Sequence, residues 1–495
     1  MKLEDPRLFR HFAWINGEWC HSESGAEWPV YNPADNSLLG YIPLLEPAQI
    51  DRAVDAAEQA FARWRQVRAD RRAALLMAWY QQLLAHRDDL ATLLVHEQGK
   101  PRREAEGEVD YAAGFIRWYA EEAVRINGET LAVHIDGTLP GTLKEPVGVC
   151  ALITPWNFPL AMITRKAAAA LAAGCSVLVK PANETPFSAL ALAELAERAG
   201  LPSGVFNVIT GDPQAVCAQL CEEPRVRALS FTGSTRVGKL LLAQCAGSVK
   251  RVSLELGGNA PFVVAPDVNI DEAAAAAIDA RFQTSGQDCL AANRIMVHQQ
   301  IHEAFIEAFT ARLRALKVGP GDSPDSDIGP LIHRQAVDKA QALVDDALSR
   351  GARLIHGDQR QAPGDNYFMP TLLIGVTPAM RVWQEESFAP IAAVAAWQHD
   401  DQAIALANAS EYGLAAYLWT HDQRRVWRYI RELEYGMVAV NSVKMTGVTV
   451  PFGGIKQSGL GREGGRTGID EYLTTRYFCL GGLSGEPTQP SVTGE

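Results

Sequence analysis

Apolar positions in the first half of the chain change period in a regular way. Ile50, Val54, Ala57, Phe61 and Trp64 recur at helical spacing, which predicts an amphipathic helix over 48–66. A longer helix is expected over 70–98 and a third over 102–125. Gly128–Gly141 is rich in β-formers and turn residues, and the alternation in Leu131-Ala132-Val133-His134-Ile135 predicts a protruding strand or hairpin. From Val147 onward, apolar runs and helical patterns take turns. Strands are expected over Val147–Thr154, Ser176–Lys180, Phe206–Thr210, Ala228–Thr232 and Val252–Leu256. Helices are expected over 159–173, 186–199, 213–222 and from Ser234. Buried strands separated by helices imply an α/β fold, with a parallel sheet covered on both faces. Gly257-Gly258 is the expected joint to a second α/β unit, running from 261 to about 468. Its helices fall near 271–284, 301–316, 335–350, 401–409 and 422–434, and its strands near 294–298, 371–376, 391–397 and 436–440. The tail 482–495 is polar, contains proline and is expected to be loose.

At 495 residues, the chain has room for two to four domains of ~100–200 residues each. Its 46 Lys and Arg against 58 Asp and Glu give a net charge of −12, which argues against a general nucleic-acid or anionic-membrane binder. The longest apolar runs, such as Ala167–Ala173, fall well short of the ~18–20 residues a membrane helix needs. Met1–Arg10 is of mixed charge and lacks the apolar core of a secretion signal, so a cytoplasmic protein is expected. The eight cysteines are scattered, with no CxxC pair and no histidine cluster. That predicts free thiols in a reducing compartment and no metal site, and leaves a thiol free for chemistry.

Cys289 lies in Ser285-Gly286-Gln287-Asp288-Cys289, just past a helical stretch. A thiolate there is a strong nucleophile, though a lone cysteine taken by itself reads more readily as a buried inert thiol. Glu255 lies in the apolar run Leu254-Glu255-Leu256-Gly257-Gly258. A carboxylate in that setting needs a task or a partner: a general base with a raised pKa, or half of a structural ion pair. Asn157, in Ile153-Thr154-Pro155-Trp156-Asn157-Phe158-Pro159, sits where a strand gives way to a helix and reads as an oxyanion donor or a helix cap. Phe231-Thr232-Gly233-Ser234-Thr235 joins a strand to a helix, a setting that favours an anion at the helix N-terminus. It is not the GxGxxG dinucleotide fingerprint.

Together these stretches resemble the NAD(P)-dependent aldehyde dehydrogenase family, from about Phe12 to about Gly481. The motifs are Pro155-Trp156-Asn157-Phe158-Pro159, Lys180-Pro181-Ala182, Phe231-Thr232-Gly233-Ser234, Glu255-Leu256-Gly257-Gly258, Gly286-Gln287-Asp288-Cys289, Glu385-Glu386-Ser387-Phe388 and Pro451-Phe452-Gly453-Gly454. The resemblance implies that Cys289 attacks an aldehyde to give a thiohemiacetal. Asn157 and the Cys289 N–H would hold the oxyanion, and Glu255 would activate the water that hydrolyses the later thioester. It also implies NAD or NADP as cofactor. Lys180 would lie at the adenosine ribose, Ser234 at the pyrophosphate, Glu386 at the nicotinamide ribose and Phe388 beside the ring. Thr154, Pro155, Trp156, Ala182, Asn183, Gly211, Phe231, Thr232, Gly233, Val237, Leu256 and Gly257 would complete the cofactor site. Relatives that pass the acyl group to coenzyme A generally lack the base, so Glu255 favours hydrolysis. Two departures bear on the cofactor. Ala389 stands where the family usually has Gly, and Asn183 stands where NAD-preferring members often have Glu, which leaves NADP open.

The resemblance is strongest to bacterial succinate-semialdehyde dehydrogenases, through Ala161-Met162-Ile163-Thr164-Arg165-Lys166, Thr185-Pro186-Phe187-Ser188-Ala189-Leu190 and Gly459-Leu460-Gly461-Arg462-Glu463-Gly464. That group grips a substrate carboxylate with two arginines and a serine. Arg165 matches the first arginine; Gln283 replaces the second, and Thr446 takes the place of the serine. Arg281 lies two residues from the second position and is expected to point elsewhere. Tyr111 and Met162 are expected in the same pocket. The implied substrate is a short acidic semialdehyde, with glutarate semialdehyde and sulfolactaldehyde as alternatives. Asp288 beside the nucleophile opposes thiolate formation and keeps an aminoaldehyde open as a rival. The implied architecture has an NAD(P)-binding domain (1–126 and 147–256), a catalytic domain (257–468), an oligomerisation arm (127–146 and 469–487) and a loose tail (488–495). The implied assembly is a homodimer or homotetramer.

Overall fold

The computed structural model describes residues 1–483, and the expected tail 488–495 lies outside them. Its first sheet has eight strands, in the spatial order Glu18–Cys20, Ala13–Ile15, Phe206–Val208, Ser176–Lys180, Val149–Ile153, Val226–Thr232, Arg251–Glu255 and Gly459–Leu460. The five from Phe206–Val208 to Arg251–Glu255 run parallel, and the strands that flank them, Ala13–Ile15 on one side and Gly459–Leu460 on the other, run antiparallel to them. The order reverses at Val149–Ile153. The next two strands of the chain lie on one side of it, and the following two on the other. Connections then leave the two central strands in opposite directions and open a crevice beyond their carboxyl ends. Thr154-Pro155-Trp156-Asn157 and Thr232-Gly233-Ser234 are the residues at that crevice.

Every residue of the helix Ala161–Ala173 is buried. Its alanines let it pack closely beside Arg102–Ala123, which presents Ala105, Val109, Ala112, Ala113 and Ile116 to the core. Arg165 and Lys166 are therefore charges carried into the interior, where each needs a partner.

The second sheet runs in the order Arg353–His356, Thr371–Ile374, Ile391–Trp397, Arg294–His298, Pro261–Val264, Ala415–Trp419 and Met437–Val440. All neighbours are parallel except the first pair. Its central strands Pro261–Val264 and Ala415–Trp419 are not among the expected ones. Almost all their residues are buried, so no polar alternation marks them, and a leading proline disguises the first.

Three further expectations are corrected. The helix over 70–98 is two helices, Ala69–Ala85 and Arg87–Gln98. The chain breaks at His86, whose Nδ1 bonds the Gln82 carbonyl at 2.8 Å, while Asp89 in the next turn accepts the backbone N–H groups of Glu4 and Asp5. The alternating stretch 131–135 is not a strand, and its Leu131, Val133 and Ile135 are exposed. The strand nearby is Leu139–Pro146, paired antiparallel with Leu473–Leu480 in a separate two-stranded sheet. Finally, Gly459–Leu460, expected within the catalytic unit, pairs with Leu254 and Glu255 at the edge of the first sheet.

Candidate active site

The crevice of the first sheet opens into a cavity of about 920 Å³ whose far wall is formed by the end of the helix Ile270–Phe282, the segment from Gln283 to Leu290, and Tyr417 of the second sheet. Cys289, Glu255 and Asn157 all line it, as do Arg165, Gln283, Thr446, Tyr111, Met162 and Asp288. Of the residues expected at the cofactor, Pro155, Trp156, Thr232, Gly233, Ser234, Leu256, Gly257, Glu386 and Phe388 line it too. Thr154, Lys180, Ala182, Asn183, Gly211, Phe231 and Val237 do not. Lys180 and Asn183 meet nonetheless, Lys180 Nζ donating to Asn183 Oδ1 at 2.8 Å, while Asn183 Nδ2 donates to the Gly211 carbonyl at 3.2 Å. Burial lowers the Lys180 ammonium to about 8. Val237 N–H is capped by Ser234 Oγ at 3.4 Å, at the start of the helix Thr235–Cys245.

Cys289 follows a tight turn. The preceding helix ends at Phe282, where Gln283 leaves helical geometry (ψ 137°), and Thr284 (φ 49°), Ser285 (φ 58°) and Gly286 (φ 74°) that follow are all left-handed. Glu104 Oε2 accepts the Thr284 N–H at 2.9 Å, and Ser285 Oγ donates to the Gly329 carbonyl at 2.9 Å. Gln287 Oε1 accepts the Ile332 N–H at 2.9 Å. A methyl group on Gly258 would lie 2.2 Å from the Cys289 carbonyl oxygen, so a glycine there lets the nucleophile's backbone pack against the joint between the sheets. Burial pushes the Cys289 thiol well up; Asp288 and Glu386 add to this, and Arg165 opposes it.

Asn157 is fixed from two directions. Its Nδ2 donates to the Gln287 carbonyl at 2.9 Å, beside Cys289, which leaves a second N–H on the same nitrogen. Its own carbonyl accepts from Lys100 Nζ at 2.8 Å. Lys100 forms a fully buried ion pair with Glu108 at 2.5 Å, and Glu108 Oε1 accepts the Leu160 and Ala161 N–H groups at 2.9 and 3.2 Å. The motif readings give Lys100 and Glu108 no role. A signal for Glu108 was present: it shares the apolar face of its helix with Ala105, Val109 and Ala112.

Glu255 is buried, and neither carboxylate oxygen has a hydrogen-bond partner among the described residues. Burial raises its pKa well above the usual range; Glu463 adds to this, and Arg165 and Lys166 oppose it. Those are the properties of a carboxyl held ready to take a proton.

Arg165 is buried, with Nε 2.6 Å from Glu463 Oε2, an ionic contact without hydrogen-bond geometry. The Phe452 ring lies 4.1 Å from the guanidinium carbon. Burial raises the pKa of the Tyr111 hydroxyl, and Arg165 and Thr446, which line the same cavity, oppose that shift. Arg281 points away as expected, donating to the Ile391 carbonyl and Ser387 Oγ, both at 2.6 Å. Asp288 Oδ1 accepts the Leu290 N–H at 3.0 Å, and burial raises its pKa.

On the cofactor side, Thr154 Oγ1 and Thr232 Oγ1 are buried without partners among the described residues, at the ends of the two central strands. Such orphaned hydroxyls at a strand-order reversal fit a bound dinucleotide. Glu386 Oε1 accepts the Gly258 N–H at 2.8 Å, while burial holds its carboxyl up at about 7. Phe388 has φ 52°, and its ring meets Trp156 edge-on at 5.5 Å.

The aldehyde dehydrogenase family model matches residues 19–478, and the chain belongs to that family. It is an aldehyde dehydrogenase that uses NAD or NADP. The chain is 64% identical over 482 residues to the non-phosphorylating aspartate-semialdehyde dehydrogenase of Halomonas elongata, covering 97% of this chain and 98% of that one. It is 48% identical to the NADP(+) succinate-semialdehyde dehydrogenase of Escherichia coli, covering 97% of this chain and 100% of that protein. The crystal structure of succinate-semialdehyde dehydrogenase from Burkholderia pseudomallei superposes with a TM-score of 0.96 at 48% identity, covering 97% of this chain and 100% of that one.

Proposed function

We propose that this enzyme oxidises a four-carbon semialdehyde carrying a carboxylate at its far end, with aspartate semialdehyde as the preferred substrate. The observation that carries this reading is the presence of Arg165 in the wall of the cavity that holds Cys289 and Glu255. A guanidinium there offers a planar fork of donors to a carboxylate. With Gln283 replacing a second arginine, only one full positive charge faces the substrate from the positions expected to grip it. Thr446, Gln283 and Asp288 supply oxygens that accept from an α-ammonium group. The Halomonas enzyme, 64% identical, supports the amino-acid form over plain succinate semialdehyde.

In this reading the Cys289 thiolate bonds to the aldehyde carbon, and the carbonyl oxygen takes the negative charge. The free N–H of Asn157 and the Cys289 backbone N–H are the donors for that oxyanion. A nicotinamide cofactor held at the crevice would supply the hydride acceptor, and loss of hydride from the Cys289 adduct leaves a thioester on that cysteine. Water attacks the thioester carbon while giving a proton to Glu255, which releases the carboxylate product and the thiol. Ser234, Glu386, Lys180 and Asn183 would hold the cofactor. Asn183 places no carboxylate against a 2′-phosphate, which supports use of NADP.

We also read the chain as three units with the expected boundaries, except that Gly459–Leu460 joins the first sheet, and as a cytoplasmic homodimer or homotetramer. The sheet Leu139–Pro146/Leu473–Leu480 supports an oligomerisation arm, since it exposes Leu143, Tyr477 and Leu480.

The test is initial-rate kinetics with NADP and NAD on aspartate semialdehyde, succinate semialdehyde, 4-aminobutanal and butanal. The expected order of kcat/KM is aspartate semialdehyde, then succinate semialdehyde, with the two aldehydes lacking a carboxylate at least about a hundredfold lower, or ~2.7 kcal/mol. Preference for 4-aminobutanal or butanal would overturn the reading.

A further inference from the structure

Glu463 belongs to a motif that marks the resemblance, yet the reaction above gives it no task. It does not line the cavity. It is buried, and its backbone pairs with Phe452, whose N–H it accepts at 2.7 Å and to whose carbonyl it donates at 2.8 Å. Its two oxygens face two cations. Oε2 meets Arg165 Nε at 2.6 Å, and Oε1 meets Lys166 Nζ, which also donates to Ser230 Oγ at 2.8 Å. Ser230 Oγ donates in turn to Glu463 Oε1 at 3.3 Å. The carboxylate is therefore held from one side by Lys166 and Ser230, and it holds Arg165 on the other.

We propose that Glu463 is a positioning residue for substrate selection, anchoring Arg165 along its Nε edge so that the two terminal nitrogens face the cavity. This rests on the reading of Arg165 as the group that takes the substrate carboxylate. The guanidinium is planar, and with Glu463 set against Nε in an ionic contact the terminal nitrogens are the donors for the substrate. Of these, Nη2 meets the Met162 sulfur at 3.1 Å, a weak acceptor that a carboxylate easily outcompetes. The Phe452 ring at 4.1 Å covers one face of the guanidinium and resists its rotation. Because Phe452 and Glu463 are paired through their backbones, the ring and the carboxylate form one clamp.

Charge points the same way. Arg165 and Lys166 against Glu463 leave one net positive charge in this buried group of three. One carboxylate on the substrate pairs with that charge, whereas a neutral aldehyde adds no partner for it. Glu463 thus sets both the direction and the amount of charge presented to the substrate.

The test is the ratio of kcat/KM for succinate semialdehyde over butanal, two four-carbon aldehydes that differ by a carboxylate. It is measured for the full-length enzyme and for Glu463→Gln, Glu463→Asp and Arg165→Gln, with thermal midpoints alongside. Effects transmitted through Glu255 act on both substrates and cancel in the ratio. Glu463→Gln is expected to lower the ratio about tenfold or more, mainly through KM for the semialdehyde. Glu463→Asp, which keeps the charge but withdraws it by one methylene, should fall between. A folded Glu463→Gln enzyme with the parent ratio, while Arg165→Gln loses it, would overturn the proposal and leave the role of Arg165 standing. Retention of the ratio by Arg165→Gln would overturn both. If Glu463→Gln does not fold, the aspartate variant decides, and an unchanged ratio overturns the proposal.

Discussion

Replacing Lys100 by methionine tests whether a buried ion pair holds the oxyanion amide in place. Methionine keeps most of the side-chain volume and removes the charge. The Glu108 carboxylate then stays buried with the Leu160 and Ala161 N–H groups as its remaining donors, and the Asn157 carbonyl loses the donor at 2.8 Å. Breaking a buried pair on one side costs about 3–5 kcal/mol. The two backbone donors to Glu108 place this case near the lower end, about 3 kcal/mol, which lowers the midpoint of a unit of 150–250 residues by about 6–12 °C. The double variant Lys100→Met/Glu108→Gln removes both charges and should recover most of the loss. Activity should fall as well. Loss of an oxyanion donor costs about 10²–10³ in kcat, and an Asn157 that is displaced rather than deleted should cost about 10–100-fold. Calorimetry and initial rates on the parent, both single variants and the double variant give the answer. A Lys100→Met enzyme with parental midpoint and kcat, or a double variant less stable than either single one, would refute the reasoning.

Three other perturbations follow from the same geometry. Gly258→Ala would set a methyl 2.2 Å from the Cys289 carbonyl oxygen, so kcat should fall more than about a hundredfold, by ~2.7 kcal/mol, with the circular dichroism spectrum unchanged. Glu255 must be deprotonated to accept a proton, and burial raises its pKa. Thioester hydrolysis should therefore slow as pH falls through a midpoint well above the ordinary carboxylate range. Single-turnover rates across pH would show this, and a midpoint at the ordinary value would count against it. Asn183→Glu places a carboxylate next to the 2′ position. NADP efficiency should drop tenfold or more, ~1.4 kcal/mol, with NAD changed only a few-fold, as read from kcat/KM for each cofactor.

The parallel sheet of the first half was legible because its strands alternate with helices of clear period. Ser176–Lys180 and the helix Pro213–Glu222 have the expected bounds. The second sheet was less legible: Pro261–Val264 and Ala415–Trp419 are almost entirely buried, and periodicity does not register strands that hide both faces. The candidate nucleophile, base and oxyanion amide were each ambiguous alone, and became informative as a set of motifs in order. What the sequence concealed is the support around them. Lys100 and Glu108 are eight residues apart in the chain, yet Lys100 meets Asn157, and Glu108 meets Leu160 and Ala161, only through the tertiary fold. Arg165 and Glu463 come from distant segments that close packing of an alanine-rich helix brings to 2.6 Å. Such pairs follow from burial, which a single sequence gives only as a helix-face pattern.

The most direct test of the central claim is a single-turnover experiment with Glu255→Gln, NADP and aspartate semialdehyde. The account predicts a burst of one reduced nicotinamide per site, no further turnover, and a thioester of matching mass on the peptide carrying Cys289. Steady turnover without a burst, or an adduct on another cysteine, would contradict it.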